Sequence, residues 1–107
     1  MRGSFLSAQA ASSMGAMNSK MSSADVQMQE AMSRMNDSMK NMRMSGDTDR
    51  DFMKMMIPHH QSAIGMARIE VRYGHRRQLK SLARNIVSSQ GREIGEMRAF
   101  LRGWYGE

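Results

Sequence analysis

Cysteine and long apolar runs are absent from this chain, and proline and aromatic residues are scarce. It contains no cysteine, which excludes disulfides, thiolate metal sites and thiol catalysis. It has one proline and only three Phe, two Tyr and one Trp, and this composition favours helix over sheet. It has no run of about 18 apolar residues, so no segment is expected to insert into a membrane.

The chain divides into two parts by composition. At 107 residues it has room for one core. Residues 1–21 are small and polar and are expected to form a flexible N-terminal arm, whereas residues 22–107 are expected to form the folded domain. The start, MRGS, resembles an expression leader, and Ala8-Gln9-Ala10 resembles a cleavage site, but no apolar signal-peptide region is present. We therefore interpret the chain as a processed, re-expressed mature protein.

Methionine is in clear excess, with 15 in 107 residues. Eight of them recur at spacings of seven, or three and four, along the N-terminal half: Met14, Met17, Met21, Met28, Met32, Met35, Met39 and Met42. The spacing predicts a methionine stripe on one face of a helix over residues 23–43. Ser22 or Ser23 is its expected N-cap, and Gly46 its expected C-cap glycine.

Two further helices are predicted, over residues 49–73 and 76–103. Their connections are short, so three helices should pack as an all-α, up-down antiparallel bundle. A bundle of this size is marginally stable alone and could form a homodimer to complete its packing.

We expect one site between the second and third helices, formed by Met53, Met56, His60 and Met97 and supported by Gln90 and Glu93. At 100° per residue, Met53, Met56 and His60 share a face of the second helix. Antiparallel pairing places Met53 opposite Met97. It places His60 near Gln90, one turn before Glu93.

We expect a second site between the first and second helices, formed by Met55, His59 and Met66 with Met35 or Met39. Met55, His59 and Met66 form a stripe nearly opposite the first one. Antiparallel pairing places His59 near Met35. It places Met55 near Met39.

Pro58 immediately precedes both histidines. It lacks an amide hydrogen and its ring clashes with the carbonyl of Lys54, so a kink is expected. Such a bend would re-aim both imidazoles.

Thioether and imidazole together favour a soft metal ion. Methionine sulfur is neutral and polarisable, so it selects Cu(I) or Ag(I) over hard cations. Imidazole adds affinity and also accepts Cu(II). Without cysteine or clustered carboxylates, structural zinc and calcium sites are disfavoured. The expected ion is Cu(I), with Cu(II) or Ag(I) as alternatives.

Each feature also has a structural interpretation. A methionine stripe at helical spacing is commonly core filler. A histidine that faces the core is commonly satisfied by a hydrogen bond, here from Gln90. Metal binding gains support because a methionine precedes each of His59 and His60 by four residues.

The stretch Asp51–Ala67, DFMKMMIPHHQSAIGMA, resembles the signature of domain-of-unknown-function family 305. Leu79–Val87, LKSLARNIV, followed by Gln90, Glu93, Ile94 and Met97, resembles the second half of that family. The resemblance covers about residues 48–104.

Members of this family are ferritin-like helical proteins, commonly exported, and some are implicated in copper binding and tolerance. The resemblance therefore implies a periplasmic copper-binding protein that sequesters or chaperones Cu(I). The residues that match the motif most directly are Met56, His59, His60 and Met66. A copper exporter or another periplasmic copper protein is the implied partner.

Three other functions compete with copper binding. A di-iron oxidase needs about four carboxylates and Glu-x-x-His pairs, and no Glu stands three residues before any histidine here. Copper-dependent oxidation of Cu(I) stays open, but the methionine-rich surroundings favour holding Cu(I), so the protein is not expected to be an enzyme. A cluster of basic residues would suit nucleic acid or an anionic surface, but no recognition motif accompanies it: Arg68, Arg72, Arg76, Arg77, Lys80 and Arg84. A structural or oligomerising bundle also stays open.

Overall fold

A computed structural model describes residues 22–107, which form three α-helices with short connections. The helices are α1 (Ser23–Lys40), α2 (Thr48–Tyr73) and α3 (Arg77–Tyr105). They run up and down with no strand among the described residues, which confirms the predicted all-α bundle. The predicted arm, residues 1–21, lies outside this range. No helix within residues 22–107 is both long and apolar enough to cross a membrane.

The first helix begins where the sequence predicts and ends earlier. Ser22 is the N-cap, and its hydroxyl accepts a backbone N–H of the first turn at 3.1 Å. The helix ends at Lys40 with Asn41 as C-cap, so the prediction that Gly46 caps it is wrong. Gly46 instead lies in the connection with a φ of 92°, a conformation that glycine adopts without steric cost.

One buried carboxylate holds the connection between α1 and α2. Asp51 is buried and accepts hydrogen bonds from the Ser45 N–H at 3.0 Å, the Ser45 hydroxyl at 2.7 Å and the Gly46 N–H at 3.3 Å. The Ser45 hydroxyl, followed by the two backbone N–H groups, holds the pKa of Asp51 below its ordinary value. The positive φ of Gly46 therefore allows a turn in which the successive N–H groups of Ser45 and Gly46 both point at the Asp51 carboxylate.

The end of α3 is tied to the start of α2. Asp47 is the N-cap of α2 and accepts the Arg50 N–H at 3.1 Å, while the Tyr105 hydroxyl donates to the same carboxylate at 2.9 Å. Both hydrogen bonds lower the pKa of Asp47, and the one from the Arg50 N–H has the larger effect. Glu107 accepts from the side chains of Arg50 and Lys54. The antiparallel alignment of α2 with α3 is thus fixed at this end.

Helix α2 lies between the other two helices. Toward α1 it presents Ser62 and Gly65, and the Ser62 hydroxyl donates to the Ala31 carbonyl at 3.5 Å. Toward α3 it presents Met53, which is buried with Met97 and confirms the predicted pairing. Ser62 and Met53 are nine positions apart, about 180° around a helix. The three helices therefore form a single layer measuring 48 × 35 × 18 Å.

The two faces of this layer differ in chemistry. What we term the methionine face comprises the apolar side chains that line two grooves on one side of α2, Phe52, Met55, Met66 and Ile86. It continues onto the side chains that helical spacing puts on the same side of α1 and α3: Met28, Met32, Met39, Leu82, Phe100 and Trp104. The basic face comprises cationic side chains that line the grooves on the other side: Arg34, Lys54, Arg68, Arg72, Arg98 and Arg102. On α2, Phe52 precedes Lys54 and Met66 precedes Arg68 by two positions, about 200°. Apolar surface and positive charge are therefore segregated.

Asp51 predicts a specific acid sensitivity. Because its folded pKa is depressed, it stabilises the fold above about pH 4 and loses that contribution as the pH falls through the folded value. Asp51→Asn should lower the Tm at about pH 6 and flatten the fall in Tm between about pH 6 and pH 3. Thermal unfolding followed by circular dichroism measures both effects.

The control is Asp37→Asn, which changes an exposed carboxylate of α1. The Tm of Asp37→Asn should fall with decreasing pH as steeply as the Tm of the parent does. An Asp51→Asn variant whose Tm falls as steeply as that of the parent would contradict the role of Asp51.

Candidate metal centre

His60 lies in the seam between α2 and α3, with 12% of its side chain exposed. Its Nε2 atom is 2.6 Å from Oε1 of Glu93 on α3. An ionised carboxylate has no proton to donate, so the ring donates through Nε2–H and Glu93 accepts. In the neutral imidazole this leaves Nδ1 as an unprotonated lone pair.

That lone pair has no hydrogen-bond partner within the described residues. Nδ1 of His60 and Oε1 of Gln90 are both buried and unpaired. Buried polar atoms are nearly always partnered, so each exception requires an explanation. The predicted hydrogen bond from Gln90 to His60 is not formed, and Glu93 on the next turn of α3 is the partner of the ring among the described residues. Both unpaired atoms are acceptors, and a cation would satisfy either one.

Three methionines lie together in the same seam. Met53 and Met97 are buried, and the half-buried Met56 packs against them. Met56 precedes His60 by one turn, so their side chains share a face of α2. The structure thus brings the sulfur-bearing residues predicted for the first site into one cluster. Met53 and Met97 also fill the core, which leaves Met56 as the most accessible of the three.

The residues predicted for the second site line different grooves or lie at the surface. His59 is exposed, 100° around α2 from His60. Met55 lines the groove beside the α1–α2 connection, next to Phe52. Met39 is half-buried on the α1 side of the methionine face.

Met35 and Met66 lie on different surfaces. Met35 lines a groove on the basic face with Pro58 and Ser62, whereas Met66 lines the α2–α3 groove with Gln90. The contact between Ser62 and Ala31 agrees with the predicted lengthwise pairing of α1 with α2, but the predicted rotation of α1 about α2 differs from the observed one. The reason is that α1 packs on Ser62 and its small neighbours, which allow close approach, and not on the stripe that contains His59.

Pro58 does not interrupt α2, which is one continuous helix. Its ring lines grooves on both sides of α2 on the basic face. Neither histidine ring shares that face, so the predicted re-aiming of His59 and His60 by Pro58 stays a prediction.

Met66 lies in the same groove as Gln90, a proximity that was not predicted from the sequence. Small residues along both helices, Ala63, Ala67 and Ala83, line the same groove and allow α2 and α3 to approach there. These alanines are the feature of the sequence that could have indicated the proximity of Met66 to Gln90. Met66 therefore belongs with the α2–α3 seam and not with α1.

The seam combines donors suited to a soft cation. Ligating histidines commonly donate their second ring N–H to a carboxylate, which orients the ring and raises its basicity. Glu93 occupies that position, and its exposed side chain leaves the pair in reach of solvent. Within residues 22–107, no three His, Asp or Glu side chains are grouped to hold a metal ion. The seam contains one imidazole nitrogen without a partner, and Met56 lies one turn away on the same face of α2.

Comparison with known proteins identifies related sequences. The family model for the Domain of unknown function (DUF305) matches residues 1–101 and so includes α1, beyond the stretch that carried the resemblance. The Uncharacterized protein L153 of Acanthamoeba polyphaga mimivirus is 40% identical over 53 residues. The aligned stretch covers 50% of this chain and 35% of that protein, so this chain matches about a third of its relative.

The bond between His60 and Glu93 predicts the tautomer of one ring. In the metal-free chain near neutral pH, the neutral His60 should carry its proton on Nε2 alone. The exposed His59 and His75 should show the tautomer mixture of hydrated rings. Long-range ¹H–¹⁵N correlation spectra distinguish the two states. In Glu93→Ala the His60 signals should move toward those of the exposed rings, and a parent ring protonated mainly on Nδ1 would contradict the assignment.

Proposed function

The chain belongs to the domain-of-unknown-function family DUF305, and from that premise we propose that it binds Cu(I) through methionine sulfur and histidine nitrogen. Ag(I), which has the same soft character, binds in its place. The metal ion is cargo that the protein sequesters or hands on, and the protein is not an enzyme. The description of the family states no function of its own.

One observation carries this proposal. The Nδ1 atom of His60 is buried without a partner, while Nε2 is held by Glu93. A lone pair in this position is costly unless something binds it. The adjacent turn supplies Met56, which packs on the sulfur-rich cluster of Met53 and Met97. In this proposal a cation at Nδ1 takes the thioether of Met56 as a second ligand, since Met56 and His60 share a face of α2.

The donor types favour Cu(I) over commoner ions. Thioether sulfur is uncharged and soft, so it stabilises a monovalent d¹⁰ ion better than Mg²⁺, Ca²⁺ or Zn²⁺. Imidazole binds either oxidation state of copper, which keeps Cu(II) as an alternative cargo. Methionine sulfur is also open to oxidation, and sulfoxide formation at Met56 would convert a soft ligand into a polar one.

Additional capacity comes from the methionine face. Met28, Met32 and Met39 of α1 lie there with Met55 and His59 of α2. We infer that these exposed or half-buried donors bind further ions with lower affinity, because the fold does not hold them together in one pocket. In the cell, the proposed setting is the periplasm and the partner a copper exporter or another periplasmic copper protein, in the service of copper tolerance.

A second candidate function rests on the basic face. Arg34, Arg68 and Arg72 line one groove between α1 and α2, where Glu30 is the acidic residue of the lining. These three arginines form no salt bridge within residues 22–107. Such a groove suits the phosphates of a nucleic acid or another anionic surface. Binding to DNA that weakens steeply with salt would favour this function.

Titration of Cu(I) against a competing chelator of known affinity tests copper binding. The parent chain should bind Cu(I), and His60→Ala should weaken binding at least about tenfold, since it removes the imidazole of the seam. Glu93→Gln should weaken binding by up to about tenfold, because the ligand remains and only its orientation suffers.

The matched control is His75→Ala, since His75 is exposed between α2 and α3 and lies away from the seam. It should bind as the parent does. If the parent binds neither Cu(I) nor Ag(I), the function is wrong. If His59→Ala and His60→Ala both bind as tightly as the parent, the function survives and the site is wrong.

A further inference from the structure

The methionine face exposes large apolar side chains that nothing within residues 22–107 covers. Phe52, Leu82, Phe100 and Trp104 are 58%, 53%, 43% and 62% exposed. Phe100 and Trp104 stack with ring centroids 4.5 Å apart and planes within 1° of parallel, so they form one aromatic stack at the surface. Contiguous exposed apolar surface of this kind marks a site that another molecule covers.

The single layer explains why so much apolar surface is exposed. Hydrophobic cores form between two packed layers of secondary structure, and the described residues supply one layer that is 18 Å thick. None of their large side chains is completely buried. The fold thus has an apolar face without a second layer opposite it.

Charge distinguishes between the molecules that could cover this face. Anionic lipid headgroups attract Lys and Arg, yet six cationic side chains of the layer line the grooves of the opposite, basic face. The methionine face carries few charges, chiefly Glu70 and Glu93 beside the α2–α3 groove. A second copy related by a two-fold axis would meet this face with an equally apolar surface.

Size favours the same partner. The layer measures 48 by 35 Å across, which leaves room for the roughly 800 Å² that each partner buries in a typical stable interface.

We propose that a second copy of this chain packs against the methionine face, giving a two-layer homodimer of six helices. Three donors of α2 then lie inside the interface: the half-buried Met55 and Met66 and the exposed His59 from each copy. Exclusion of water and a second set of donors turn these scattered residues into a shared soft-metal site. This metal-binding part rests on the proposed function, whereas the dimer itself does not.

The sole tryptophan reports on the face directly, since Trp104 lies on it. We expect the metal-free full chain to sediment at twice its 12.1 kDa mass at high concentration. Dilution from about 100 to about 1 μM, a range that spans weak interfaces of this size, should shift Trp104 emission to the red as the dimer dissociates. A parent that sediments as a monomer throughout overturns the dimer.

Variants locate the interface. Leu82→Glu and Phe100→Glu each place a carboxylate on the methionine face, and each should weaken the dimer at least about tenfold. Gln61→Glu adds the same charge on the opposite side of α2, where Gln61 is exposed, and should leave the dimer unchanged. Equal effects of the three variants would overturn the assignment of the face.

Two results would reassign the face to another occupant. A monomeric parent whose Trp104 resists acrylamide quenching indicates cover by residues 1–21. A monomer whose Trp104 emission shifts to the blue only with anionic phosphatidylserine vesicles indicates a lipid surface. Both overturn the homodimer.

Titration with Ag(I) tests the shared metal site independently of the dimer itself. Ag(I) added beyond the one equivalent that fills the seam of α2 and α3 should tighten the dimer at least about tenfold in the parent, because ligand binding and association are reciprocally linked. The gain should disappear in His59→Ala. If Ag(I) binds without tightening the dimer, the shared site is wrong. If Ag(I) does not bind and the metal-free dimer persists, the proposed function fails and the interface stands.

Discussion

Because α1 and α3 pack on opposite sides of α2, the other two sides of α2 stay open, and the surroundings of each side chain follow from its angle on that helix. The side of Ser62 and Gly65 meets α1, and the side of Met53 and His60 meets α3. The remaining two sides become the methionine face and the basic face. Adjacent histidines 100° apart therefore enter different environments.

The lengthwise alignment of α2 and α3 depends on the polar contacts at one end of the layer. Asp47 both caps α2 and accepts the Tyr105 hydroxyl, and Glu107 accepts from Arg50 and Lys54. That alignment brings Glu93 to His60. The candidate metal centre is thus positioned by contacts made at the end of the layer.

Much of this arrangement could be predicted from the sequence. Helical spacing and short connections indicated three antiparallel helices and the pairing of Met53 with Met97, because both follow from repeat length and turn position. The rotation of α1 about α2 could not be predicted, because it depends on where the small residues Ser62 and Gly65 allow close contact. For the same reason Met66 was assigned to α1 when it lies in the α2–α3 groove beside Gln90.

The central claim is that a soft metal ion is bound by histidine nitrogen and methionine sulfur in the seam of α2 and α3. X-ray absorption at the copper edge of the chain loaded with one Cu(I) tests it most directly. The spectrum should contain both sulfur and nitrogen scatterers in the first shell, and His60→Ala should remove the nitrogen contribution. A first shell of nitrogen and oxygen alone would contradict the claim, because it would place the ion away from the methionines.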